Sequence, residues 1–293
     1  MTLQHLALVS ESEQVPSSAL GVVAAALQVQ VLRDFAPAWG ITATVDAFES
    51  LDQVPVSYYP MIIRDQLPAG AAGIHLDQDF TPYALIRPSN RWTLTASHEA
   101  LEMLADPFGI RLEAADSIKP DQGLVEYLVE VCDASEAVPF SYRINGVVVS
   151  DFYLPSFFDP VTNGRVRYSF TGAISRPLEV VKGGYLSWRD PSTRHWWQQR
   201  WFGTPEPTFH DLGVITGNLA PRTWLDQQAM AARPDAITGA QEGTEDHDLL
   251  VLAYALAVKE GEGATAHADR LRAEIDDLTG DAVDAEYLNP AAG

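Results

Sequence analysis

The sequence predicts an α+β protein: a twisted mixed sheet with two helices, followed by an irregular β and loop region and C-terminal helices. Short apolar segments, one of them with period-two alternation, dominate the first ninety residues, and a stretch with helical periodicity interrupts them. Gly, Pro, Asn and aromatic residues become frequent between Phe140 and Pro221. We therefore expect a regular first region, residues 1–160, and an irregular, aromatic-rich second region with a helical appendage, residues 161–293.

A strand and a covering helix open the predicted fold. Residues 3–9 are mostly apolar and predict a strand, and Pro16-Ser17-Ser18 supplies a helix start signal. Apolar side chains then recur at helical spacing, at Leu20, Val23, Leu27, Val31 and Phe35. This pattern predicts an amphipathic helix that covers a sheet and ends at Gly40.

Further short extended segments lead into a second helix. Residues 41–48 alternate apolar and polar side chains and predict a half-buried strand, and residues 58–64 predict another. A turn is expected at residues 70–73. Residues 74–77 and 82–86 predict two more extended segments directly before a helix that begins near Thr93.

The rest of the chain is predicted in less detail. A strand is expected at residues 126–131, a hairpin at 144–154 with Asn145-Gly146 at its turn, and a strand at 166–174. Residues 203–247 predict a long loop with a short helical piece. Two helices are expected at residues 247–259 and 264–278, and residues 281–293 predict a frayed tail.

Composition limits the classes of function. The 19 Lys and Arg residues against 40 Asp and Glu residues give a net charge of −21, which opposes binding to nucleic acid or anionic lipid. The single cysteine, Cys132, excludes an internal disulfide framework and Cys-rich zinc modules, and is consistent with a reducing cytoplasm. No segment predicts a secretory signal or a membrane span, so we expect a cytoplasmic protein.

The segment Ser97-His98-Glu99-Ala100-Leu101-Glu102 is the best candidate for a metal site. Residues four apart lie on nearly the same face of a helix, so His98, Glu102 and Asp106 form one polar stripe with Glu99 beside it. In the His-Glu-x-x-His motif both His side chains bind zinc and the Glu is the general base. Here Glu102 stands at the position of the second His, and a carboxylate oxygen is also a zinc ligand.

A further ligand is expected from the segment Glu126 to Glu136. We favour Asp133, with Glu130 and Asp106 as second-tier candidates. A site with one nitrogen and several oxygen donors also suits Mn²⁺ or Ca²⁺, so the ligand types alone leave the ion open.

These features resemble zincin-like metallopeptidase domains. The strand, helix and strand order before a helix with His-Glu near its start is similar to their N-terminal layout, in which an edge strand lines the substrate cleft. The pattern Ser-His-Glu-x-x-Glu-x-x-x-Asp-Pro is particularly similar to bacterial and phage proteins of this type. The resemblance covers about residues 1–160. It implies Zn²⁺, His98 and Glu102 as ligands, Glu99 as the general base, and hydrolysis of peptide bonds.

Several of these residues also have simpler interpretations. Asp106-Pro107 is a helix terminator, because Pro disfavours helical geometry at the preceding residue. Glu126 and Glu136 are expected on a solvated face of an acidic protein. The aromatic segment at residues 188–202, with three interleaved Arg residues, suits either a binding surface or a satellite core, and we favour the core.

Three hypotheses follow. The first is a zinc-dependent peptidase or a descendant of one, in which Glu99 activates water at an ion held by His98, Glu102 and Asp133. The second is an inactive zincin-scaffold binding or assembly protein, phage- or virion-associated, with the C-terminal helices as an interface for a protein partner. The third is a metal-free protein whose acidic helix is only surface.

Overall fold

The first sheet is built from short apolar strands and is buried on both faces. The computed structural model describes residues 3–67, 73–78, 81–216, 220–225 and 264–287, with the backbone alone at residues 75–78, 264 and 277–287. The strands are β1 (Gln4–Ser10), β2 (Ala43–Ala47), β3 (Tyr59–Ile63), β4 (Gly73–Gln78) and β5 (Thr81–Ile86), in the order β2-β1-β3-β5-β4. All pairs are parallel except β4 with β5.

Successive side chains of β1 show why both faces of the sheet are covered by other elements. Leu6 and Leu8 belong to one apolar cluster, while Ala7 and Val9 belong to a second cluster on the other face. Successive side chains of a strand point to opposite faces, so a strand that is apolar at every position must be covered twice.

The predicted covering helix forms on the first face. It runs as α1 (Ser17–Val29), a π-helical stretch (Gln30–Phe35) and α2 (Ala36–Trp39), and Gly40 ends it with a φ of 69°. All five predicted apolar positions are buried. The segment Ser17–Trp39 is long and apolar enough to span a membrane, but half of its most apolar window is buried within the fold, which is typical of a core helix.

The second predicted helix, α3 (Trp92–Ala105), lies beside α1 on the same face. Every residue from Leu94 to Ala105 is buried, including the polar ones. The hypothesis that its acidic side chains are merely surface is therefore wrong.

A C-terminal helix, α4 (Ala264–Tyr287), covers the other face of the sheet. Its side chains Ala268, Leu271 and Ile275 join the cluster around Ala7 and Val9. Ion pairs link the helix to the first region of the chain: Arg272 lies 2.8 Å from Glu11 and 2.9 Å from Asp52. The predicted helix at 264–278 is confirmed. It continues to residue 287, so residues 281–287 are helical, whereas a frayed tail was expected there. The predicted helix at residues 247–259 lies outside the described residues.

The second sheet is antiparallel and joins strands from both regions of the chain. It contains β6 (Leu112–Asp116), β7 (Leu124–Leu128), β10 (Tyr185–Arg189), β11 (Trp196–Arg200) and β12 (Thr208–Gly213), in the order β12-β11-β10-β7-β6. The sequence patterns did not predict β6, β10, β11 or β12, and β12 lies in the segment that was expected to be a long loop. Trp188 and Trp196 are fully buried, which confirms the aromatic segment as core. The predicted boundary near residue 160 stays a prediction, although this sheet has strands on both sides of it.

A hairpin and short 3-10 turns connect the sheets. The hairpin has strands β8 (Tyr142–Ile144) and β9 (Val147–Val149), and Asn145 and Gly146 turn it with φ values of 51° and 88°, as predicted. The 3-10 turns are Leu51–Gln53, Asp133–Ser135, Val138–Phe140 and Pro155–Phe158. The strand expected at residues 166–174 is wrong, because that segment forms only an isolated bridge between Ser169 and Tyr153.

Candidate metal centre

A buried hydrogen-bond network fixes α3 before its acidic residues. The hydroxyl of Ser97 donates to Gln30 Oε1 at 2.7 Å and accepts from the N–H of Ser150 at 2.8 Å. Gln30 Nε2 in turn donates to the carbonyl oxygen of Ser150 at 3.0 Å. The network joins α3 to the π-helical stretch and to the segment after β9, so it sets the rotation of α3 about its axis.

The chain after β7 supplies the opposite wall of the site. It leaves β7 at Leu128 and passes through the 3-10 turn Asp133–Ser135, so that Glu130, Asp133 and Glu136 are all buried near α3. The backbone N–H of Cys132 donates to Glu102 Oε1 at 3.1 Å, which ties this segment directly to the helix.

Three predicted ligands meet at one point. His98 Nε2 lies 3.1 Å from Glu102 Oε2 and 3.3 Å from Asp133 Oδ1. Ligand atoms about 2.1 Å from a tetrahedral zinc ion are separated by roughly 3.4 Å. The two distances from His98 Nε2 are therefore those expected between ligands of one ion, and also those expected for hydrogen bonds from a protonated imidazole.

A basic residue that the sequence patterns did not single out enters the same cluster. Arg222 lies in a helical turn at residues 220–225, with Nη1 2.9 Å from Glu102 Oε2 and in contact with Glu130 Oε2. Its Nη2 atom lies 3.8 Å from Glu99 Oε2. The one local signal was Pro221 before it, which favours a helix start, but nothing in the sequence connected that start to α3.

Burial and mutual repulsion dominate the electrostatics of the site. Burial alone would lower the pKa of His98, but the charges of Glu102, Asp133 and Glu99 raise it to about 10. Burial and the charge of Glu102 raise the pKa of Asp133 to about 7, against the opposing effect of His98 and Arg222. Burial also raises the pKa of Glu130, although Arg222 opposes it.

Negative charge exceeds positive charge in this cluster. Five buried carboxyl groups are grouped with His98 and Arg222, namely Glu99, Glu102, Glu130, Asp133 and Glu136. Buried carboxylates are stable only when they are paired, protonated or bound to a cation. Glu130 Oε1 and the hydroxyl of Tyr153 are buried and lack a hydrogen-bond partner among the described residues. The cluster therefore has the charge of a cation-binding site.

The donor set fits a divalent ion. The ligand atoms form groups within 4.8 Å of one another, and two such groups, His98/Asp133/Glu136 and Glu102/Glu130/Asp133, share Asp133. A third group contains the thiol of Cys132, but burial and the charge of Glu102 raise the pKa of that thiol, which disfavours the thiolate form that binds metals. Nitrogen and oxygen donors are consistent with zinc, manganese or calcium.

The remaining predicted residues have different positions. Asp106 ends α3, and its carboxylate accepts the N–H groups of Ile110 at 3.1 Å and Arg111 at 2.8 Å, which supports the helix-end interpretation. Glu126 pairs with Arg189 at a partly exposed position. The expectation of a solvated face is wrong for Glu136, which is 2 % exposed, because the 3-10 turn folds it inward. The side chain of His75 is outside the described residues.

A small cleft lies between the cluster and the second sheet. It is lined by Glu130, Asp133 and Arg222 of the cluster and by Tyr185, Ser187 and Gln198 of the sheet. It has room for about one water-sized group.

Comparison of the chain with family models, curated proteins and solved structures gave no match.

Proposed function

We propose that this protein is a metal-dependent peptidase of zincin type, with the ion held by His98, Glu102 and Asp133 and with Glu99 as the general base. The observation that carries the proposal is that His98 Nε2 lies 3.1 Å from Glu102 Oε2 and 3.3 Å from Asp133 Oδ1 inside a buried, acidic cluster. His98 and Glu102 belong to α3 and Asp133 to the segment after β7, the two segments from which the sequence predicted ligands.

The sheet topology supports the zincin assignment. A helix follows the first strand, the antiparallel strand β4 lies at the edge, and α3 follows β5 directly. This layout resembles the zincin arrangement that the sequence suggested. Gly73 at the start of β4 packs against Glu99 and Thr95 so closely that a methyl group there would overlap with both. Glu99 therefore lies between the metal ligands and the edge strand, where a zincin substrate would bind.

The residues of the chain have separate tasks in such a reaction. A divalent ion, when bound, supplies Lewis acidity that polarises a carbonyl group and acidifies water. Glu99 accepts a proton from the attacking water as the new carbon–oxygen bond forms, and returns it to the amine nitrogen as the carbon–nitrogen bond breaks. Arg222, 3.8 Å from Glu99, places a positive charge beside the base.

Metal content and peptide cleavage test the two parts of the proposal separately. Protein purified without chelator should contain a divalent metal, and His98→Ala should lose it while the exposed His195→Ala keeps it. Cleavage of a peptide library should disappear in Glu99→Gln with the metal retained. Metal content that is substoichiometric and unchanged in His98→Ala would contradict the ligand assignment.

A second candidate function is a binding or assembly protein with a structural metal. The burial of the site residues favours it, because His98 is 2 % exposed and Glu99 and Glu102 are 0 % exposed. Structural zinc sites are closed, whereas catalytic sites keep a position open for water or substrate. Full metal occupancy without cleavage of any peptide would favour this function.

A further inference from the structure

The cluster contains two adjoining sets of candidate metal ligands. The guanidinium of Arg222 contacts the second set. One set is His98, Asp133 and Glu136, and the other is Glu102, Glu130 and Asp133. Asp133 belongs to both sets, and Glu102, a proposed ligand of the first ion, belongs to the second set. Two-metal hydrolases place their ions about 3.5 to 4 Å apart and share carboxylate ligands between them.

The guanidinium of Arg222 lies within the second set. Its Nη1 atom is 2.9 Å from Glu102 Oε2 and contacts Glu130 Oε2. These are oxygens that would otherwise bind a divalent ion in the second set.

The backbone around Arg222 holds this side chain in place. The N–H of Arg222 donates to the carbonyl oxygen of Gly109 at 3.2 Å, in the loop after α3. Gly109 has a φ of 61°, and a methyl group there would overlap with the side chain of Arg222. Trp224 and Leu225 pack against Leu128 and Trp196. The backbone and Cβ of Arg222 are therefore held by the loop after α3, and its helical turn is held by the second sheet.

We infer that Arg222 takes the place of a second divalent cation, so that the centre binds one exchangeable ion and carries a permanent second positive charge. The inference deepens the proposed function and rests on it for the identity of the first site. An arginine stays protonated at any working pH and cannot dissociate, unlike a weakly bound second ion. It also offsets the negative charge of Glu102, which stands where the zincin motif has a neutral His.

The test is the number of ions bound by metal-free protein that is titrated with Mn²⁺ and, separately, with Zn²⁺. The wild type should bind one ion per chain and Arg222→Gln should bind two, because Glu102 and Glu130, released from the guanidinium, can then hold a second ion together with Asp133, with Glu102 and Asp133 shared between the two ions. Arg222→Lys keeps the charge and should bind one. Arg189→Gln, which breaks a matched Arg–Glu pair outside the cluster, should also bind one.

The failure of this inference differs from the failure of the proposed function. If the wild type binds no ion and Arg222→Gln binds one, the first site is wrong but the role of Arg222 holds. Equal numbers in the two proteins would overturn the inference.

Folding gives a second measurement. Arg222→Gln should be less stable than the wild type without metal and should regain stability with millimolar Mn²⁺, because the ion replaces the lost charge. The double variant Glu130→Gln/Arg222→Gln removes a carboxylate with the arginine, and should bind one ion. An Arg222→Gln protein that stays unfolded at every Mn²⁺ concentration would also overturn the inference.

Discussion

At the scale of single residues, contacts between buried polar groups determine the geometry of this site. Glu102 shows the principle: one carboxylate oxygen accepts the N–H of Cys132, while the other faces both His98 and Arg222. Hydrogen bonds to a ligating carboxylate fix its orientation at the metal. The direction of the Glu102 carboxylate is therefore set partly by two groups that are not proposed as ligands, the N–H of Cys132 and the guanidinium of Arg222.

Ser97→Ala tests the network that orients α3. The substitution leaves Gln30 Oε1 and the N–H of Ser150 without this hydroxyl, and each buried unsatisfied group costs about 1 to 3 kcal/mol. Urea denaturation should show a loss of roughly 2 to 4 kcal/mol in unfolding free energy.

The matched control is Ser175→Ala, whose hydroxyl bonds Glu179 at an exposed position. This change should alter stability by less than about 0.5 kcal/mol. Equal effects of the two substitutions would show that the Ser97 network does not stabilise the helix.

Whole elements bring the donors together by close backbone packing. The 3-10 turn that carries Asp133 is in contact with the start of β10, where a methyl group at Gly184 would lie 2.6 Å from the carbonyl oxygens of Asp133 and Ala134. Real Cβ atoms do not approach backbone that closely, so the second sheet positions the turn through a glycine. The distance from Asp133 to α3 depends on this contact.

Gly184→Ala should therefore displace the turn. Overpacking of this kind costs about 1 to 3 kcal/mol, and the movement of Asp133 should also weaken metal binding about tenfold or more. Thermal denaturation and metal titration measure the two effects.

Gly21→Ala is the control, since nothing lies within 4 Å of a methyl group at that position in α1. It should stabilise the protein by about 0.5 to 1 kcal/mol through helix propensity and leave metal binding unchanged. Normal metal affinity in Gly184→Ala would show that the turn does not set the position of Asp133.

The molecule as a whole couples proton binding, metal binding and stability through the buried cluster. In the metal-free protein the pKa of His98 is raised from 6.5 to about 10 and that of Asp133 from 3.8 to about 7. Both groups bind protons more tightly in the folded state. Their contribution to stability is therefore present at low pH and is lost as the pH rises, for Asp133 between about 4 and 7 and for His98 between about 6.5 and 10.

Metal should reverse this pH dependence. An ion displaces the protons from His98 and Asp133, so the stabilisation by metal should grow as the pH rises from 6 to 9, by about 1.4 kcal/mol per pH unit for each proton displaced. Melting temperatures with and without metal across this range measure the growth. A metal-induced shift that is the same at every pH would contradict binding at His98.

The sequence by itself determined the elements whose signal is local. Short apolar segments predicted the strands of the first sheet, helical spacing predicted α1 and α4, and Asn145-Gly146 predicted the hairpin turn. It also placed His98 and Glu102 on one helical face, since that depends only on a spacing of four residues. Strands β6 and β12 were missed because partly exposed strands with mixed polarity have no clear periodicity, and β10 and β11 were missed because their aromatic residues predicted burial without indicating a strand.

Only the tertiary structure decided which charged residues share the site. Glu136 was expected in solvent and Arg222 in a loop, yet both are buried beside α3. Arg222 and Glu102 are 120 positions apart in the sequence. Their contact depends on packing between sheets, which local sequence patterns do not predict. The physical reason is that a buried charge is stable only with a partner, and that partner can come from any part of the chain.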